Sequence, residues 1–249
     1  MQTYHSISAE VYNLDKPIGS SFGDVEYYSQ RLAHVKGKIL EPAVGTGRIL
    51  IPLLEQGLAM EGFDLSEEML VYCRDNLKKA NQEANIFQAN METFQAPQLY
   101  EAIIIPAGTF LLITDENKAY SILTNFYNHL ESNGRLILDI FLQSDFNEGS
   151  SRYRTFTNSE GEIITLQATQ SDINYINQTT TTHHRYDKWR EGKCIDSEFE
   201  IFTLKWYGIN EFKRLLMQVG FKDIVISADY CYQQYPTNQN QTITFEAVK

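Results

Sequence analysis

Ile39-Leu40-Glu41-Pro42-Ala43-Val44-Gly45-Thr46-Gly47-Arg48 joins a short apolar run, a carboxylate and a glycine-bearing turn to a helical pattern at Ile49, Leu53 and Leu54. The order reads as strand, loop, helix. Gly45 and Gly47 lack a Cβ, so the backbone can bend sharply there and a ligand can lie against it. The loop N–H groups and the positive end of the next helix face such a ligand. Glu41, at the carboxyl end of the strand, is an acceptor for a cationic or hydroxyl group. Two glycines also serve a plain strand-to-helix turn, and the following segment bears on the choice. Residues 58–63 predict a second strand ending at Asp64, and Ser66 is a helix N-cap with Glu67 and Glu68 in the first turn. In an open α/β sheet, ligands bind at the carboxyl ends of the strands. Asp64 is well placed there to accept from a ribose diol, so loop and acid together point to a bound nucleoside.

E-P-A-V-G-T-G-R at 41–48, G-F-D-L-S-E-E-M-L at 62–70 and Q-A-N-M-E-T-F at 88–94 resemble the class I S-adenosylmethionine-dependent methyltransferases. The resemblance runs from about Tyr12 to the C-terminal strand. It implies a Rossmann-like, doubly wound, seven-stranded, mostly parallel sheet with an antiparallel last strand. It implies S-adenosyl-L-methionine as methyl donor and S-adenosyl-L-homocysteine as product, with transfer to N or O of a small-molecule acceptor. Carried over, the glycine loop (Glu41, Pro42, Ala43, Gly45, Thr46, Gly47, Arg48) lies under the methionine part. Asp64 with Leu65 and Met69 belongs to the ribose region, and Asn90, Met91 and Glu92 to the adenine. Pro106 and Ala107, after strand four, face the reactive methyl, and Tyr12 joins them from an N-terminal lid. Asn90 stands where the family usually has Asp; its side-chain oxygen can still accept from the adenine amino group. A dinucleotide-binding domain would want a third glycine at position 50, which is Leu.

The chain has 249 residues and a formal net charge of −11 without a Lys/Arg run, which argues against a nucleic-acid partner. Pro106-Ala107 also matches neither of the strand-four motifs that base-methylating members of the family carry. Cys73, Cys194 and Cys231 lie far apart with no metal spacing, as expected of reduced residues in a cytoplasmic chain, and no metal is implied. Met1-Gln2-Thr3-Tyr4-His5 does not open a signal peptide, and no run of about 18 apolar residues predicts a membrane span. Monomer and homodimer remain open.

Residues 1–142 and 206–249 are expected to form the cofactor domain, with 1–36 as a lid segment. Within it, Tyr12 to Pro17 reads as a turn, and Asp24 as the cap of a helix reaching about His34. Strands are expected at 85–89, 102–105 and 136–141, a turn at 132–134 and a helix at 115–130. A helix at 210–219, ended by Gly220, precedes strands at 222–229 and 242–248. Residues 143–205 alternate apolar and polar residues, with hairpin turns at 158–161 and 191–192, and predict an inserted antiparallel sheet of three or four strands. In small-molecule N-methyltransferases that this chain resembles, such an insert covers the active site; a solvated decoration or a dimer surface also fits.

Methyl transfer from a sulfonium needs an in-line nucleophile held about 3–3.5 Å away, and an amine must arrive unprotonated. His183 and His184 are candidate bases, one pointing inward and one outward by strand alternation. Tyr28, Tyr153, Tyr186 and Trp189 are candidates for the acceptor side, the last three as an aromatic wall for a cationic amine; packing is the commoner role for each. A cofactor-binding regulatory or interaction protein without turnover is the alternative function. Replacing Asp64 by Ala is expected to cost about 1.5–3 kcal/mol of cofactor affinity, measured by calorimetry; unchanged affinity removes Asp64 from the site.

Overall fold

Ile39–Pro42 (β1), Met60–Asp64 (β2), Asn85–Gln88 (β3), Tyr100–Ile105 (β4) and Leu130–Phe141 (β5) run parallel in a computed structural model that describes residues 4–249. Met1 to Thr3, the start of the expected lid, lie outside the described residues. Every residue of β1 and β2 is buried, because helices cover both faces of the sheet. Lys222–Ala228 (β10) and Thr242–Val248 (β11) complete seven strands in the order β10-β11-β5-β4-β1-β2-β3, with β11 antiparallel to both neighbours. Crossing from β1 to β4 reverses the winding, so the carboxyl ends of β1 and β4 flank the switch point.

Alternation along β4 sends Ile103 and Ile105 to one face and Ala102 and Ile104 to the other. On the first face pack Glu116–His129 (α5) and Ile209–Val219 (α6), through Phe126, Phe212 and Leu216. On the second pack Asp24–Leu32 (α2), Leu50–Glu55 (α3) and Glu67–Lys79 (α4), through Leu32, Leu53 and Leu70. Gly220 ends α6 at φ 119°, as expected. The 132–134 turn lies inside β5: pairing with β4 jumps from Tyr100↔Leu130 to Ala102↔Arg135, so four residues loop out as a bulge.

Ser151–Thr157 (β6), Ile163–Asn174 (β7), Thr179–Arg190 (β8) and Lys193–Lys205 (β9) form a second, antiparallel four-stranded meander. Both expected hairpins are there. A third, through residues 175–178, carries no glycine and was not anticipated. Gln178 instead takes the left-handed conformation, at φ 50°.

Two N-terminal expectations are corrected. Tyr12 to Asp15 are the last turn of a helix, Ser6–Asp15 (α1), not a turn. Ile7 and Val11 bury one face of α1 against Ile164 and Tyr186 of the second sheet. The helix start carries no local acidic cap. Glu198 of β9 supplies it from far along the chain, accepting from Ile7 N–H at 2.8 Å and Ser8 N–H at 3.1 Å, and Glu200 accepts from Ser8 Oγ at 2.5 Å. Asp24 opens α2 rather than capping it. Gly23 is the cap, at φ 92°, because the Asp24 carboxylate is held by Arg48. That helix stops at Leu32.

α1 is thus fastened on two sides. Lys188 Nζ meets Glu10 at 2.6 Å, Arg154 grips Asp15 and Asn158 Nδ2 donates to Glu10 at 2.8 Å, all from the second sheet. From α4, Asn76 Nδ2 donates both to Asn13 Oδ1 at 2.9 Å and to the Thr46 carbonyl of the glycine loop at 3.0 Å. Glu198→Ala leaves two helix N–H groups without their acceptor and is expected to lower stability by about 0.5–2 kcal/mol, read as a fall in thermal midpoint. An unchanged midpoint shows that water serves the helix end equally well.

Candidate active site

The carboxyl ends of β1, β2, β3 and β4 bring together the residues that the sequence marks. After β1 the backbone takes left-handed turns at Ala43 (φ 53°), Gly45 (φ 57°) and Gly47 (φ 86°). A Cβ on Gly47 would stand 3.0 Å from Cys73 Sγ and 3.1 Å from Ile51 Cδ1, so helix and loop pack here with no room for a side chain. Gly45 N–H donates to Asp64 Oδ2 at 2.9 Å, and Ser66 N–H donates to Asp64 Oδ1 at 2.9 Å. The acid after β2 therefore ties the glycine loop to the start of α4. Each of its oxygens keeps a further acceptor direction. Met69 is buried beneath Gly45, and Tyr12 covers the loop from α1 with its ring edge-on to Tyr4.

Burial lifts the Asp64 carboxyl above its ordinary range, against the N–H groups that it accepts from, and lifts Glu41 well above it despite the Arg48 charge nearby. Glu41 Oε2 and Thr46 Oγ1 are buried side-chain atoms without a hydrogen-bond partner among the described residues. Buried polar atoms left unpaired cost about 1–3 kcal/mol each, and here two of them line one bend. A ligand carrying a cation and hydroxyl or amine donors fits that vacancy of partners. At the far end, Asn90 is half-buried and folds its Oδ1 back onto Glu92 N–H at 2.9 Å, Met91 is buried, and Glu92 meets Lys118 at 3.2 Å. The Leu65 carbonyl accepts from Gln88 Nε2 at 2.9 Å.

Residues 39–134 match a family model described as a methyltransferase domain. That stretch is a methyltransferase domain. Its sequence is 24% identical over 221 residues to the putative methyltransferase YqeM of Bacillus subtilis, covering 86% of this chain and 85% of that protein. Its structure is similar to the sugar N-methyltransferase KedS8 from a Streptoalloteichus species, with TM-score 0.76, 17% identity and coverage of 100% and 96%. It is also similar to CalS10, an amino pentose methyltransferase of Micromonospora echinaspora bound to S-adenosylmethionine, with TM-score 0.68, 15% identity and coverage of 99% and 98%. At these identities the structural likeness concerns the fold.

A further opening lies beyond β5. A cavity of about 360 Å³ lies between residues 142–145 and the inward face of the second sheet, lined by Gln143, Arg152, Gln170, Thr182, His184 and Phe202. The His184 ring stacks on Phe202, with centroids 5.1 Å apart, and burial lowers its pKa. His183 points to the opposite face, against Phe199. The aromatic wall is not assembled. Tyr153 is 72% exposed on the outer face, Trp189 is pinned to Thr165 Oγ1 at 3.0 Å, and Tyr186 is buried under α1. Strand parity explains the split: Tyr153 and Trp189 share the outward face with His183. Tyr28 is fully buried below the β4 end, facing Asp139.

The Arg48 guanidinium is taken up by the segment before α2. It donates to both Asp24 oxygens, at 3.1 and 2.5 Å, and to the Ser20 carbonyl at 3.1 Å. It thereby clamps the segment before α2 to the end of the glycine loop. Gln143, Gln170 and Phe202 escaped the sequence reading, because nothing local says which strand face looks into a cavity.

Burial pushes the Asp24 carboxyl up, but the Arg48 hydrogen bonds and charge overcome it and hold the group below its ordinary value. The stability from this pair is therefore present at neutral pH and lost as pH falls below the carboxylate range. Arg48→Met leaves Asp24 buried and uncompensated, with an expected loss of about 3–5 kcal/mol by denaturant titration. The double variant with Asp24→Asn recovers most of it; equal losses in both variants show that the charge pairing is not the cause.

Proposed function

We propose that this methyltransferase uses S-adenosyl-L-methionine, releases S-adenosyl-L-homocysteine, and methylates an amine of a polar small molecule. The observation that carries the reading is a pair of features at the carboxyl edge of the parallel strands. One is the glycine-loop bend with its unpartnered Glu41 and Thr46 atoms; the other is the polar cavity under His184. Glu41 and Thr46 would hold the methionine end, Asp64 the ribose hydroxyls, and Asn90 with Met91 the adenine. The bound donor supplies a methyl already activated by its sulfonium.

The protein then has to position an acceptor and keep it unprotonated. His184, kept neutral by its burial against Phe202, takes the proton of an incoming ammonium at a ring nitrogen. The amide and hydroxyl groups of Gln143, Gln170 and Thr182 suit an acceptor that carries several hydroxyls, and the acidic chain suits a cationic one. Methyl transfer to oxygen is the second reading, and the same proton acceptor serves it. The second sheet and α1 exclude water by covering the cleft.

Wild-type protein given S-adenosylmethionine and a panel of amino sugars and small amines is expected to form S-adenosylhomocysteine with at least one of them. Binding without product from any acceptor favours a regulatory cofactor-binding protein. His184→Ala is expected to lower turnover by about tenfold or more, with homocysteine-form affinity unchanged. Because the His184 pKa lies below the ordinary 6.5, the acid limb of wild-type turnover is expected below that pH. A loss smaller than tenfold removes the role.

A further inference from the structure

Asp139 is the one charged residue in the apolar run 136–141, and it is fully buried. Its carboxylate accepts three hydrogen bonds from three different places. Thr244 Oγ1, on the paired position of β11, donates to Oδ1 at 2.8 Å. Ala107 N–H, in the bend after β4, donates to Oδ2 at 2.9 Å, and Tyr230 Oη donates to Oδ2 at 3.1 Å. The Tyr28 phenol of α2 faces the same group.

The sheet gains nothing that it lacks from this arrangement. Residues 139 and 244 are already in register through the backbone ladder. A buried carboxylate costs several kcal/mol of desolvation that an apolar residue would not incur. What the carboxylate does hold is irregular. Ala107 and Gly108 follow one another in the left-handed region, at φ 58° and 69°, a conformation that costs an alanine about 1–2 kcal/mol. A Cβ on Gly108 would fall 2.3 Å from the Phe141 ring, so the bend is pressed onto the end of β5. Tyr230 itself sits at φ 59° in the turn after β10. Burial raises the Asp139 carboxyl to about 6, which leaves it ionised and an acceptor for all three donors at neutral pH.

The geometry points to Asp139 as a positioning residue: through Ala107 N–H and the Tyr230 hydroxyl it sets the Pro106–Gly108 bend against the amino-acid end of the bound methyl donor. This rests on the proposed cofactor. If the bend serves that end of the ligand, loss of Asp139 must be felt there and not at the nucleoside.

The test compares S-adenosylhomocysteine with 5′-methylthioadenosine, the same nucleoside thioether without the amino acid, by calorimetry on the full-length chain. Asp139→Asn is expected to weaken S-adenosylhomocysteine by about tenfold or more and 5′-methylthioadenosine by less than about threefold. Tyr230→Phe removes one donor and is expected to show a smaller loss with the same selectivity. It decides the matter alone if the Asn variant does not fold. Equal losses for both ligands, or no loss for either, overturn the positioning role. Failure of the wild-type protein to bind either ligand overturns the cofactor reading instead.

Discussion

Burying a carboxylate near the carboxyl end of a strand is expensive, and this sheet does it at Glu41 on β1, Asp64 on β2 and Asp139 on β5. Taking such a group out of water costs several kcal/mol unless donors meet it. Two of the three are met from within. Asp64 takes the N–H groups of Gly45 and Ser66, and Asp139 takes Ala107, Thr244 and Tyr230. Glu41 is not fully met: its Oε2 has no partner among the described residues. The difference supports the proposal that Glu41 meets a ligand at the bend.

The cleft is also built from outside the sheet. α1 begins on carboxylates of the second sheet and is tied to the glycine loop through Asn76, so it links the two sheets. Arg48 and Asp24 close the other side with a pair that is almost wholly buried. Such a pair adds little net stability against an apolar alternative but makes separation of its partners costly. It suits a segment that must sit in one place.

The second sheet divides its inward face between two tasks. Toward the β6–β7 and β8–β9 hairpins, Ile164, Tyr186, Glu198 and Glu200 pack and cap α1. Toward the 175–178 hairpin, Gln170, Thr182, His184 and Phe202 leave space and line it. Alternation therefore gives one set of even-numbered β8 residues to α1 and another to the cavity. The histidine that reaches the chamber is half-stripped of water, which keeps its imidazole neutral.

Local chemistry made much of this readable from residues alone. Apolar runs such as 102–105 declare strands buried on both faces, glycines at 45 and 47 declare a bend, and Ser66 with two glutamates declares a helix start. Those signals lie within a few residues of their causes. The register of β8 showed that one of His183 and His184 would face inward, since a strand's period is two. Which one, and onto what, depended on residues 152, 168 and 202, brought alongside only by pairing across hairpins. The same holds for the α1 cap at Glu198, for Arg48 meeting Asp24, and for Asp139 gathering donors from three elements. Each is a bond between groups far apart along the chain, and no local propensity encodes its partner; tertiary packing alone selected them.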